Sequence, residues 1–178
     1  MDAEHSPRTA ALAETVREVE RHVAAEGWDA PVAVYALVRS ASLVAASPEL
    51  AAELPDGATS DPEHLTAVVQ DGLPEADTLE DLLAQLAWPE TVDGAAVVVE
   101  RLVVPPEAEA QLPGEDADQV EYLMNHPERQ DVRIAAGVLR TGESWCALRS
   151  RANDDDAAVG GGPTAVPGLV EALAATLR

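Results

Sequence analysis

Apolar residues recur along the 178-residue chain with two different periods, and the switches between them mark its elements. Leu12, Val16, Val19 and Val23 fall four, three and four residues apart, which makes one stripe of a helix. Ser6 can cap that helix, Pro7 suits its first turn, and Gly27 closes it. Residues 31–39 are Val-rich and apolar on both sides, the pattern of a strand inside a sheet. A short helix is expected between Ser47-Pro48 and Pro55, followed by turn chemistry through 63 and a strand over 64–70. Thr78 to Trp88 reads as a helix with Leu79, Leu82, Leu83 and Leu86 inward and Pro89 as its stop. Residues 94–104 (GAAVVVERLVV) make the strongest strand pattern in the chain. An acidic, Pro-bearing loop over 105–118 then leads to a short helix over 117–124.

Residues 131–151 alternate like a β-hairpin turning at Thr141-Gly142-Glu143. A three-residue loop puts Val132, Ile134, Ala136 and Val138 on one face with Cys146, Leu148 and Ser150. The other face then carries Arg133, Leu139, Trp145, Arg149 and Arg151. A flexible, acidic, Gly-rich loop over 152–164 precedes a last helix at 165–177, with Leu169, Val170, Leu173 and Leu177 inward. This order lacks the regular alternation of a doubly wound sheet. It predicts a single α+β domain over 1–178, with a mostly antiparallel sheet of about five strands. The N- and C-terminal helices are expected to pack on one face of it.

Composition narrows the function. Ala, Val and Leu number 34, 21 and 19, so the core is built from small side chains and there is no Phe. All eleven basic residues are Arg, which together with the near absence of Ile and Asn reads as the bias of a GC-rich genome. The net charge of −22 argues against nucleic acid and against an anionic membrane surface. A single Cys excludes an internal disulfide framework and a Cys-based zinc site. With no signal-peptide pattern and no run of about 18 apolar residues, a cytoplasmic protein is expected.

The charge is unevenly placed. Residues 40–128 carry 20 acids and one Arg, whereas 129–151 carry five Arg and two acids. The segments YALVRSASLVAASPELAAEL, AWPETVDGAAVVVERLVVPPEAE, DVRIAAGVLRTGESWCALRSR and VPGLVEALAATLR, in this chain's order, resemble a family of uncharacterised actinobacterial proteins. That resemblance runs through almost the whole chain. It implies a bacterial cytoplasmic setting and assigns no activity.

The sharpest candidate chemistry is Arg133, Arg149 and Arg151 on one hairpin face with Trp145 beside them. Forked guanidinium donors suit a carboxylate or phosphate, and an aromatic ring can stack on one of them. Such a face could bind an anion or a partner. The ordinary alternative is pairing with the chain's own acids, for example those in 107–121. Asn153-Asp154-Asp155-Asp156 before Gly160-Gly161-Gly162 could hold a hard cation, but the ligand spacing of a calcium loop is missing and a solvated loop explains it. His5, His22, His64 and His126 have no metal-ligand spacing, and Cys146 points into the core. The expectations are therefore no catalytic residue, no metal and no cofactor. The leading reading is a noncatalytic protein-interaction or chaperone-like module, with a protein partner or a homodimer. Its rival is a small-molecule anion binder or enzyme using the Arg133/Arg149/Arg151 face.

Overall fold

The computed structural model describes residues 6–114, 116–163 and 165–178. The first helix, α1 (Pro7–Ala24), begins as its sequence dictates: Ser6 Oγ accepts the Thr9 N–H at 3.1 Å, and Pro7 occupies the first turn. Leu12, Val16, Val19 and Val23 are buried. Gly27, at φ +97°, turns the chain away in a conformation other residues rarely adopt.

The remaining elements in chain order are β1 (Ala33–Arg39), α2 (Ser40–Ala46), β2 (Leu65–Val69), α3 (Leu79–Ala84), β3 (Gly94–Val103), α4 (Pro106–Glu109), α5 (Asp116–Asn125), β4 (Gln130–Leu139), β5 (Ser144–Ser150), β6 (Gly160–Gly162) and α6 (Pro167–Ala175). The strands form one sheet in the order β2-β1-β3-β4-β5-β6, and every neighbouring pair is antiparallel. The fold is thus α+β, as the sequence predicts, with one strand more than expected. The extra strand is β6, which lies inside the segment read as a flexible loop; Thr164, at the end of that segment, lies outside the described residues. The short helix expected over 47–55 is replaced by α2, directly after β1, and a 3-10 turn over Pro48–Glu53.

The terminal helices do not share a face. Under α1 lie Tyr35, Leu37, Ala96, Val98, Ala135, Leu139, Trp145 and Ala147. The opposite face, with Val34, Ala95, Val97, Val99, Val132, Ile134, Ala136, Val138 and Cys146, packs on Leu79, Leu82 and Leu83 of α3 and on Leu173 of α6 with Leu177 just beyond it. The physical reason is visible in β3 and β4, whose alternate residues are apolar in both directions. A sheet with two apolar faces needs cover on both, so one helix goes to each side. At Gly137 α1 comes close enough to the sheet that a Cβ there would sit 2.6 Å from Val16 Cγ2.

The hairpin parity is as predicted, although its loop is one residue earlier. Leu139 N–H donates to Glu143 O across Arg140-Thr141-Gly142. Val132 pairs with Ser150, Arg133 with Arg149, and Gly137 with Trp145. Among the described residues, no helix is long and apolar enough to cross a membrane.

Candidate functional site

Strand parity places Arg133 and Arg149 side by side on the α1 face, and both are buried. Arg149 is 3% exposed and uses its whole guanidinium. Its Nε donates to both carboxylate oxygens of Glu20 on α1, the longer contact at 3.1 Å. Nη1 donates to Asp154 Oδ1 at 3.0 Å, and Nη2 to Asp156. Burial works against the charge of Arg149, but the bonds to Glu20, Asp156 and Asp154 outweigh it and raise its pKa. Glu20 itself is 1% exposed.

Trp28, in the turn after α1, joins the other two arginines. The Arg133 Cζ lies 4.4 Å from its ring centroid and the Arg151 Cζ 5.5 Å. The Trp28 Nε1–H donates to Asp154 Oδ2 at 2.9 Å, so one carboxylate serves both Trp28 and Arg149. Arg151 donates to Asp29 at 3.2 and 3.3 Å and to Asp131 at 3.4 Å. Glu100 accepts the N–H groups of Asp29 and Ala30, each at 2.8 Å, which holds the turn where Asp29 sits at φ +65°. Trp145 is apart from this cluster: it is buried under α1, with Arg17 5.2 Å over its ring.

The three guanidiniums therefore tie α1, the turn at 27–30, β4, β5 and the 151–156 segment to one another. Among the described residues, their acids are Glu20, Asp29, Asp131, Asp154 and Asp156, and none lies in 107–121. A depression of about 250 Å³ on this side is lined by Arg17, Glu20, Arg21, Arg149, Asp156 and Val159, and only Arg149 of the three reaches it. Two of these partners had a sequence signal. Glu20 stands four residues after Val16 and three before Val23, inside the apolar stripe, which is where a charge needs a buried partner. Trp28 follows the helix-closing Gly27 directly. Arg140, also part of the basic segment, donates to Val92 O at 2.7 Å, to Pro89 O at 3.0 Å and to Leu177 O, and so pins the hairpin turn to the end of α6.

Arg133 is the exception in the cluster. It is fully buried and donates from Nη2 to Gly27 O, but its Nε and Nη1 find no hydrogen-bond partner among the described residues. Unpaired buried donors are costly. Arg133→Met, which fills similar space, is expected to leave stability unchanged or raise it by about 1 kcal/mol in urea unfolding. A loss above about 2 kcal/mol would show instead that the Trp28 and Gly27 contacts dominate.

Asp154 is held below its ordinary value of 3.8 by the Trp28 and Arg149 hydrogen bonds. A carboxylate with a depressed folded pKa stabilises fully above its ordinary value, and that stabilisation disappears as the pH falls through the folded value. The stability difference between the wild type and Asp154→Asn should therefore be present at neutral pH and vanish in acid below 3.8. A difference independent of pH in acid titrations followed by circular dichroism would contradict this.

The other candidates are accounted for locally. Asp155 accepts the Ala157 N–H, so the Asp run faces Arg149, Trp28 and its own backbone. Among the described residues, no group of three His, Cys, Asp or Glu side chains is arranged to hold a metal ion. His64 Nδ1 lies 2.6 Å from the buried Ser40 Oγ, His126 Nδ1 accepts the Glu128 N–H, and His22 is exposed. His5 lies outside the described residues. Cys146 is buried, and burial pushes its thiol pKa up, away from the reactive thiolate.

No curated protein and no solved structure gives a match to this chain. The family model described as PPA1309-like protein does match, from residue 12 to residue 178. That span includes Glu20, the Trp28 turn, both arginine-bearing strands and the final helix, and on it the chain belongs to the PPA1309-like protein family.

Proposed function

We propose that this protein is a noncatalytic protein-interaction module of the actinobacterial cytoplasm. One observation carries the reading: the arginines that could have formed an anion site are engaged by the chain's own carboxylates and by Trp28. What is left facing outward is a surface rich in acid, since 40–128 supplies 20 acids against one Arg. Such a surface repels nucleic acid and other acidic proteins and attracts basic ones.

The test is purification of the tagged chain from its native cytoplasm at low salt, with light scattering on the isolated protein. A stoichiometric protein partner, lost as salt rises, is the expected result. A monomer that brings down nothing stoichiometric would overturn it. The rival reading, a small-molecule anion binder or enzyme, draws on the two unpartnered donors of Arg133. It predicts that phosphate or a dicarboxylate raises the melting temperature of the wild type and not of Arg133→Met.

A further inference from the structure

The two edges of the sheet are built differently. β6 is three glycines long, too short to template another strand. β2 has the sequence LTAVV, without Pro or charge, and pairs with β1 on one side only. The Gln70 N–H donates to Val34 O and the Ser40 N–H to His64 O, each at 2.9 Å. Antiparallel pairing alternates, so even-numbered residues face β1 and odd-numbered ones turn their N–H and C=O groups away from it; Leu65 is buried in the core, which leaves Ala67 and Val69 at the open part of the edge. Val68 and Val69 are 40% and 54% exposed. Natural edge strands are usually blunted by charge, Pro or bulges, and this one carries none of these within it.

Its flanks are acidic. Between Arg39 and Arg101 there are thirteen acids and no basic residue. Asp61 and Glu63 precede the strand, and Asp71, Glu75 and Asp77 follow it. Glu63 is paired with Arg8 at 3.2 Å and with Arg39 at 3.7 Å. A second copy added at this edge would bring two such flanks together, and like charges oppose that. A basic strand would meet opposite charge past the end of β2, at Asp71, Glu75 and Asp77, whereas Glu63 at the start is already engaged by Arg8 and Arg39.

We propose that the free edge of β2 accepts an extended, Arg- or Lys-rich segment of a partner protein as a seventh strand. Backbone hydrogen bonds to Ala67 and Val69 would provide the attachment, Val68 and Val69 an apolar contact, and the acids Asp71, Glu75 and Asp77 the selection. This rests on the interaction-module reading and names its partner class and surface.

The probe is a fluorescent octapeptide of alternating Arg and Val, with a Glu–Val octapeptide as control, titrated into the full chain by anisotropy. The basic peptide is expected to bind at least about tenfold tighter, to weaken with salt, and to slow amide exchange at Ala67 and Val69. Ala67→Pro removes an outward N–H, not a bond to β1, and is expected to weaken binding at least about tenfold with an unchanged melting temperature. Should that variant not fold, Asp71→Asn with Glu75→Gln is expected to weaken the basic peptide alone.

Equal binding of both peptides, protection elsewhere in the chain, or full binding by a folded Ala67→Pro would each overturn the proposal. So would a wild-type dimer that Ala67→Pro dissolves, because the occupant would then be a second copy. The two readings fail differently. A cytoplasmic partner held equally by wild type and Ala67→Pro keeps the module and removes the β2 edge; a wild type that holds no partner removes the module.

Discussion

Replacing Glu20 by Leu is expected to destabilise the protein by about 3–5 kcal/mol, the range for breaking a buried ion pair from one side. Glu20 and Arg149 are 1% and 3% exposed, so removing the carboxylate strands a guanidinium where water does not reach its Nε. Asp154 and Asp156, although 45% and 62% exposed, still contact Arg149 and leave it partly paired, which places the expected cost near the lower end. For a chain of this length each kcal/mol shifts the melting temperature by about 2–4 °C, so a fall of roughly 6–12 °C should be seen. The double variant Glu20→Leu with Arg149→Met removes both charges and should recover most of the loss. Urea unfolding of the three variants checks this. A double variant as unstable as the single one would mean that the pair is not the cause.

Leu12→Ala is the second large effect, expected at about 2.5–5 kcal/mol. Leu12 is fully buried and belongs to the α1 stripe that covers the sheet. The stripe comes down where Gly137 has no Cβ: one placed there would lie 2.6 Å from Val16 Cγ2 and 3.1 Å from Leu12 Cδ1. The space left by Leu12 therefore opens directly above Gly137 and is walled by rigid β-strands that cannot collapse into it. Gly137→Val alone overfills the same place and is expected to cost about 1–3 kcal/mol. Together the two changes should cost less than their sum by about 1 kcal/mol or more, because the added methyls enter the cavity. Additive losses in thermal unfolding would place the cavity away from Gly137.

The same contrast between local pattern and distant contact runs through the rest of the molecule. The antiparallel hairpin was legible because parity is a local property: an odd loop puts Arg133 and Arg149 on one face whatever else the chain does. The helix at 7–24 was legible from Ser6, Pro7 and the 4-3-4 spacing. β6 was not, since Gly160-Gly161-Gly162 has neither side chains nor alternation and pairs only because β5 offers it an edge. Nor was the placement of α6, because its apolar stripe fits either face of a sheet that is apolar on both.

By itself the sequence did not determine β6, α2, α4 or the 3-10 turn that carries Arg151. It did determine the longer helix and strands, the antiparallel class of the fold, the shared face of Arg133 and Arg149 and the concentration of acid in 40–128. Those follow from spacing and composition, which depend on neighbours in the chain. Only the tertiary structure decided what the arginines do. Glu20 lies 129 residues from Arg149 along the chain, and Asp29 lies 122 from Arg151. With 33 acids to choose among, charge selects no partner; it is the packing of α1 against β4 and β5 that brings Glu20 and Trp28 over the arginines. The same packing leaves β2 as the long free edge, a property that belongs to the strand order and not to any residue in it.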